Sequence, residues 1–360
     1  MEKYDIVIIG GGVAGAMFAQ CISLSYKVLL LTKEDFHKPC GGLLSPRAQK
    51  EFGKLNLTLP KEILVDPQIF TVKTIDCSSK LVNHYQRHYI NMDRYKFDQW
   101  LLSNVPSHVK VVKGNCYRIT ENKVVYYQSN SINYQVSCDY LIGADGSNSI
   151  VRKTIFPNEV ISQYIAIQEW YEKSIQNPFY SCIFDSTISN ACSWSISKDN
   201  QFIFGGAYPI EDGRKQFEKQ KERLEKQGFQ FNQSKKIEAC LVSRPNTLRD
   251  ICDGNKTVFL IGEAAGYISP SSFEGISYAI STAVKLAQSF NTETTDISLI
   301  YDLKLIPVKF SLLIKMVKTR LLYTPIIRRV IMRSKIKSLK VQEDKKIKFM
   351  KYSIPIPKKK

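Results

Sequence analysis

Residues Asp5 to Ile9 are a short apolar run, DIVII, that leads straight into Gly10-Gly11-Gly12-Val13-Ala14-Gly15 and a helix-forming stretch reaching Ser23. No other feature narrows the fold as far. A G-x-G-x-x-G sequence between a strand and a helix is the phosphate-binding turn of a β-α-β unit. Gly10 makes the tight turn, Gly12 lets a pyrophosphate approach the backbone, and Gly15 lets helix and strand pack closely. Ala14 lies inside the same turn. The second strand is expected at Lys27 to Leu31. Its end normally carries an acid for the ribose hydroxyls, but this chain has Thr32, and the nearest acid is Glu34. Threonine offers a single hydroxyl, not a bidentate charged contact.

Far downstream, Val258 to Ala279 reads VFLIGEAAGYISPSSFEGISYA. This is a buried strand ending at a glycine, an acid and two small residues, then a Pro-Ser-Ser loop and Glu274-Gly275 opening an apolar helix. Small residues at a helix start let backbone N–H groups reach a phosphate or an anionic ring. Two such turns, one near each end of the body, predict one long dinucleotide held at both ends, and that cofactor is FAD.

Between them, residues 1–35 read as β-α-β, and residues 36–60 as a loop carrying Pro39-Cys40-Gly41-Gly42. Residues 91–104 read as a helix with Phe97, Trp100 and Leu101 on one face. Strands are expected at Val109 to Val112, at Lys123 to Tyr127, and at Tyr140 to Gly143 running into a polar turn. From about 155 to 250 aromatic and β-branched residues alternate, which predicts an antiparallel sheet interrupted by a helix over Gly213 to Gln227. The nucleotide-binding texture resumes at Lys256, and the chain is mainly helical from Ser281. The fold class expected is therefore α/β. A Rossmann-type FAD-binding domain is assembled from 1–60, 90–155 and 255–290, with an inserted antiparallel-sheet substrate domain from 61–89 and 156–254. A basic helical region, 291–340, and a basic tail, 341–360, complete the chain.

With an apolar strand at its start, the chain shows no expected signal peptide, and no run is long and apolar enough to predict a membrane-crossing helix. Nine scattered cysteines without a CxxC pair predict a reducing cytoplasm and neither a disulfide framework nor a metal site. The four histidines, at 37, 84, 88 and 108, have no ligand or triad spacing and read as surface or loop residues.

Three motifs resemble flavoprotein oxidoreductases of the geranylgeranyl reductase type, within the larger class built like aromatic hydroxylases. They are GGGVAG at 10–15, GADGSNS at 143–149 and GEAAGYISPSSFEG at 262–275. Further stretches, KPCGGLLSP, PFYSCIFD, SWSISKD and FIFGGAYP, extend the resemblance over nearly the full length. It implies that Gly10, Gly12 and Gly15 cradle the FAD pyrophosphate, that Arg94 touches the cofactor, and that Asp145 and Gly146 approach the pyrophosphate side. Glu263 stands where the family usually has Asp, on the ribityl chain. Ala264, Ala265 and Gly266 are implied to lie beside the isoalloxazine, with the helix after Gly275 stabilising charge on the reduced ring. The family's YxWxFP-type motif is reduced here to Cys192-Ser193-Trp194-Ser195-Ile196-Ser197, which also departs from the WxWxIP of flavin halogenases.

Cys40 stands where the family has cysteine and is the candidate catalytic residue, protonating or orienting a substrate carbon; the plain alternative is a small residue in a tight turn. Trp170, Trp194, Phe204 and Tyr208 are candidates to line an apolar substrate tunnel, the alternative being sheet core.

Residues 301–360 hold 18 of the 51 lysines and arginines but 3 of the 33 acids. Leu305 to Lys337 mixes aliphatic residues with Lys and Arg at helical intervals, with breaks expected at Pro307 and Pro325. The pattern predicts docking of residues 305–340 on an anionic membrane surface; packing on the body alone is the alternative. Nucleic acid is disfavoured by the apolar face and by the lack of any nucleic-acid fold. The function expected is an FAD-dependent oxidoreductase that reduces carbon–carbon double bonds of an isoprenoid lipid, supplied by NAD(P)H or another electron donor. A cytoplasmic location, peripheral at the inner face of the cell membrane, goes with it. A flavin monooxygenase acting on a lipid or aromatic substrate and a non-catalytic flavin- or lipid-binding protein are the alternatives.

Overall fold

The computed structural model describes residues 1–34, 37–172, 180–292 and 296–341. Most of the expected basic tail, 342–360, lies outside them, as do the first residues of the PFYSCIFD stretch.

Strand Glu2–Ile9 is central to a seven-stranded sheet and almost wholly buried along its apolar run. It pairs in parallel with Val28–Thr32 on one side and with Ile132–Gly143 on the other. Val109–Lys113 extends the parallel set beyond Val28–Thr32. Both faces of Val28–Thr32 and of the apolar run of Glu2–Ile9 are covered, so these read as continuous apolar runs rather than alternations. The 12-residue strand Ile132–Gly143 does two jobs. Its first half pairs antiparallel with Val124–Ser129, which carries the edge strand Asn115–Ile119. Its last residues pair in parallel with Val258–Leu260. The N-terminal turn and the downstream motif thus end on strands that flank the same end of Ile132–Gly143, although most of the chain separates them. Helix Val13–Cys21 packs against helix Ile276–Phe290 over this sheet.

Ile69–Asp76 and Leu81–Asn91 join the five strands between Gln163 and Ser243, and the two-residue strands Leu43–Leu44 and Ser338–Leu339 complete a second sheet of nine. It is antiparallel except where Tyr180–Phe184 runs parallel to Ile69–Asp76. Helix Gly213–Glu225 covers one face, burying Phe217 and Leu224. Helix Arg94–Ser103 starts where the Asp93 carboxylate accepts a hydrogen bond from the Lys96 N–H at 3.0 Å.

The C-terminal region departs from expectation at one proline. Pro307 does not break the chain: helix Ile297–Tyr323 runs 27 residues straight through it. Pro307 is exposed, so the carbonyl it leaves unpaired faces water. A stripe of Ile297, Tyr301, Leu305, Val308, Leu312 and Met316 packs on the body and holds the helix together. Pro325 does end it and opens helix Pro325–Arg333 from its first position. Arg328 on that second helix is buried and paired with Asp76 at 2.9 Å, which pins the helix to the second sheet.

Candidate active site

The two sheets enclose a cavity of about 930 Å³. One end lies over the N-terminal turn. Gly10 has φ +107°, and a Cβ there would lie 2.5 Å from the Ala144 carbonyl oxygen. A Cβ on Gly15 would overlap the Gly10 carbonyl oxygen. Gly12 is different: nothing lies within 4 Å of where its Cβ would be, and it faces the cavity. No side chain caps helix Val13–Cys21, so its first N–H groups are left for an anion. An open glycine cradle at an uncapped helix start is the geometry a pyrophosphate needs, and FAD fits it. Directly beside Gly10, at the end of the neighbouring strand, Asp145 and Gly146 also line the cavity. The Asp145 carboxylate is spent on the protein: it accepts the Ser149 hydroxyl and the Ile150 N–H, each at 2.6 Å.

Toward the second sheet, the Pro39-Cys40-Gly41-Gly42 turn crosses the cavity. A Cβ on Gly41 would sit 2.6 Å from Ile196 Cδ1, so the turn lies directly on the strand Cys192–Lys198. Lys198 anchors it from below, donating to the Gly42 carbonyl at 3.3 Å, Asn91 Oδ1 at 2.7 Å and the Met92 carbonyl at 2.6 Å. Burial pushes the Lys198 ammonium down to about 8. The Cys40 sulfur accepts the Gly42 N–H at 3.4 Å. Arg94 is buried beside it, gripped by both Asp98 oxygens at 3.0 Å. Burial opposes its charge, but Asp98 and Cys40 outweigh burial and hold the guanidinium charged. Lys38 reaches Glu263 at 2.6 Å, and the other Glu263 oxygen accepts the Ser243 N–H at 2.9 Å. Burial works against the Lys38 charge as well; Glu263 reverses it and raises the ammonium above its usual value.

Known proteins place this arrangement. A protein named CbrA from Shigella dysenteriae is 43% identical over 344 residues, which span 93% of this chain and 97% of that protein. The chain belongs to the CbrA family. A family model described as an FAD binding domain matches residues 118–296. A geranylgeranyl bacteriochlorophyll reductase-like protein from Thermoplasma acidophilum shares the fold with TM-score 0.75 at 18% identity, over 90% of this chain and 88% of that one. A probable FAD-dependent monooxygenase from Pseudomonas aeruginosa shares it with TM-score 0.65 at 15% identity, over 92% and 99%. The chain is an FAD-dependent oxidoreductase.

Of the residues singled out in the sequence, the cavity gathers Gly10, Gly12, Ala14, Thr32, Cys40, Arg94, Asp145, Gly146, Trp194, Glu263 and Gly275 on its walls. The others need correction. Gly15 stands behind the turn as packing. Ala264, Ala265 and Gly266 do not line the cavity. They form the back of a tight 3₁₀ turn: Arg152 donates to the Ala264 carbonyl at 3.2 Å, Cys252 N–H donates to the Ala265 carbonyl at 3.0 Å, and Gly266 sits against Ile251. Phe204 and Tyr208 point to the opposite face of their strand and pack on Phe217 under helix Gly213–Glu225. Trp170 lies two residues beyond cavity-lining Gln168, its Nε1 donating to Glu238 at 2.7 Å. Of the four aromatics, Trp194 lines the cavity. It lies over Gly205, where a Cβ would come within 2.8 Å of the indole, and its own N–H is buried without a partner among the described residues.

Tyr89, Tyr180 and Phe273 supply the aromatic walls that sequence reasoning missed. Tyr89 and Tyr180 meet edge to face at 5.5 Å from strands Leu81–Asn91 and Tyr180–Phe184, which no local pattern links. His37, in the loop before Lys38, also lines the cavity, 3.1 Å from Glu238. A sequence signal existed for Glu274 alone: its carboxylate caps helix Ile276–Phe290 by accepting the Ser277 N–H at 2.8 Å, and it too faces the cavity.

Proposed function

We propose that this enzyme reduces a carbon–carbon double bond of an isoprenoid lipid. The observation that supports this most is the character of the cavity beyond the cofactor cradle. Tyr89, Tyr180, Trp194, Ile196, Ile268 and Phe273 make a wall that is aromatic and aliphatic. Such a wall suits a long hydrocarbon and excludes water from it. Bound FAD supplies the hydride, with electrons from NAD(P)H or another donor.

The chain's own residues do the rest. The open Gly12 cradle and the uncapped helix start hold the cofactor's diphosphate. Arg94, fixed by Asp98, presents a permanent positive charge beside the turn. Cys40, held by the Gly42 N–H and the Lys198-anchored turn, is the cavity's candidate proton donor to the second alkene carbon. Neither tyrosine competes for that role: burial pushes Tyr89 up to about 12 and Tyr180 further still. Hydride adds to one carbon and a proton to the other, so the product gains two hydrogens while the cofactor gives up two electrons.

The test is anaerobic photometry of the purified protein, reduced and then mixed with a polyprenyl lipid extract. Reoxidation without oxygen, with lipid heavier by two hydrogens, is the expected result. A cofactor that stays reduced until air enters, with product heavier by one oxygen atom, overturns the reading in favour of a monooxygenase.

A further inference from the structure

Helix Ile297–Tyr323 is apolar on two sides. One stripe, Ile297 through Met316, is buried on the body. A second stripe of Leu299, Leu303, Ile306, Phe310, Ile314, Val317 and Leu321 recurs at three- and four-residue steps and is open to solvent, with Ile306 59% and Phe310 64% exposed. At about 3.6 residues per turn the two stripes fall on opposite sides. Helix Pro325–Arg333 repeats the arrangement. Arg328 and Met332 are buried, while Ile326 and Val330 are 76% and 63% exposed. An apolar surface this long is not the scatter of single residues that any soluble protein shows. The same helical wheel puts Lys304, Lys315 and Lys318 along one edge of the exposed stripe; on the other, Lys309 is held by Asp253 at 2.6 Å beside Asp302, which among the described residues leaves Arg320 as the free cation there.

We infer that the outer face of these two helices is a docking surface for an anionic lipid bilayer, lying in its interface with the apolar stripe immersed and the basic edges on the headgroups. Charge selects this occupant. A second copy pairing face to face would bring its own lysines and Arg320 up against these, whereas anionic headgroups match Lys304, Lys315, Lys318 and Arg320 at once. Among the described residues no helix is long and apolar enough to cross a membrane, so the helices lie in the surface rather than span it. The face also adjoins the substrate end of the cavity. The Tyr323 hydroxyl donates to the Ser271 carbonyl at 3.1 Å, and the next two residues, Ser272 and Phe273, line the cavity. The inference stands apart from the proposed reaction, since docking is read without substrate or turnover.

The test is flotation of the full-length protein with phosphatidylglycerol–phosphatidylethanolamine vesicles and, separately, with phosphatidylcholine vesicles. Binding to the anionic vesicles, weakened by salt, is expected. Combining Phe310→Asp with Val317→Asp is expected to lower it at least about tenfold, with the cofactor's absorbance unchanged, and Phe310→Leu to retain it. Replacing Lys304, Lys315 and Lys318 by Gln is expected to weaken binding and flatten its salt dependence. No flotation, or equal and salt-insensitive flotation with both vesicles, overturns the inference. So does a dimer in light scattering that Phe310→Asp dissociates, which assigns the face to a second copy. A monomeric Phe310→Trp protein whose new emission is already blue-shifted before vesicles are added also overturns it, and assigns the face to residues 342–360.

Discussion

The two ends of the cavity are built on different principles. The cofactor end is made by backbone. Gly10, Gly12, Asp145 and Gly146 bring main chain to the surface, and the side chains there are absent or, like Asp145, consumed by the protein. The substrate end is made by side chains from strands far apart in sequence, Tyr89, Tyr180 and Trp194 among them, laid on a sheet whose small residues, such as Gly205, leave room for the rings. A backbone cradle tolerates almost no change in what builds it, while a side-chain wall can be re-lined. Chemistry at the first end is therefore fixed and specificity at the second adjustable.

The largest effect that can break this contrast is at Gly15. An added Cβ meets backbone that cannot yield, so Gly15→Ala is expected to cost about 3 kcal/mol or more in denaturant unfolding and to abolish cofactor binding. Its neighbour Gly12→Ala meets nothing in the protein and should change stability by less than about 0.5 kcal/mol while the bound flavin absorbance is lost. Equal destabilisation by both would mean that Gly12 is packing and not cradle.

At the junction of the two ends, Cys40→Ala is expected to lower turnover by about 10²- to 10⁴-fold with the flavin spectrum intact. Turnover within about twofold of the parent would make Cys40 a turn residue only. At the substrate end, Trp194→Phe keeps an aromatic ring and removes an N–H that has no partner among the described residues. Stability should hold or rise by up to about 1 kcal/mol, and KM should rise severalfold if that N–H serves a bound molecule. A loss of stability would show that the indole is a structural support.

The smallest effect concerns the thiols. Burial, with Asp145 nearby, pushes Cys116 at the cofactor end up to about 12. At the substrate end, burial pushes Cys240 up to about 11, with Lys38 opposing. Both folded values lie above the ordinary 9.0. The unfolded chain therefore loses these protons first, and the stability they contribute is complete below pH 9 and is lost as pH rises from 9 through 11 to 12. The melting temperature should decline over that interval, and iodoacetamide should label both residues slowly up to about pH 10. Fast labelling of one at pH 8 would show that its end of the cavity opens.

Much of the cofactor end could be read from the sequence because the physics there is local. Gly10 needs a positive φ and Gly15 needs a missing Cβ, and each requirement writes a glycine at a fixed offset from a strand and a helix. The polar turn at Asp145 was legible for the same reason. Ala264, Ala265 and Gly266 were misplaced because small residues mark close approach without saying which neighbour approaches; here it is Arg152, Cys252 and Ile251. The tunnel aromatics failed for another reason. Strand Gln201–Tyr208 is buried on both faces after its first residue, so its sequence lacks the alternation that would show which residues face the cavity.

The sequence by itself determined the class of fold, the glycine turn at the first helix start and the concentration of positive charge in the last 60 residues, because each follows from residue type at short spacing. The tertiary structure alone decided which strand face lines the cavity, and that Pro307 sits harmlessly on a solvent side. It also decided which of the helix's two apolar stripes meets the body. Those outcomes depend on what packs opposite a residue, and the residues opposite come from distant parts of the chain.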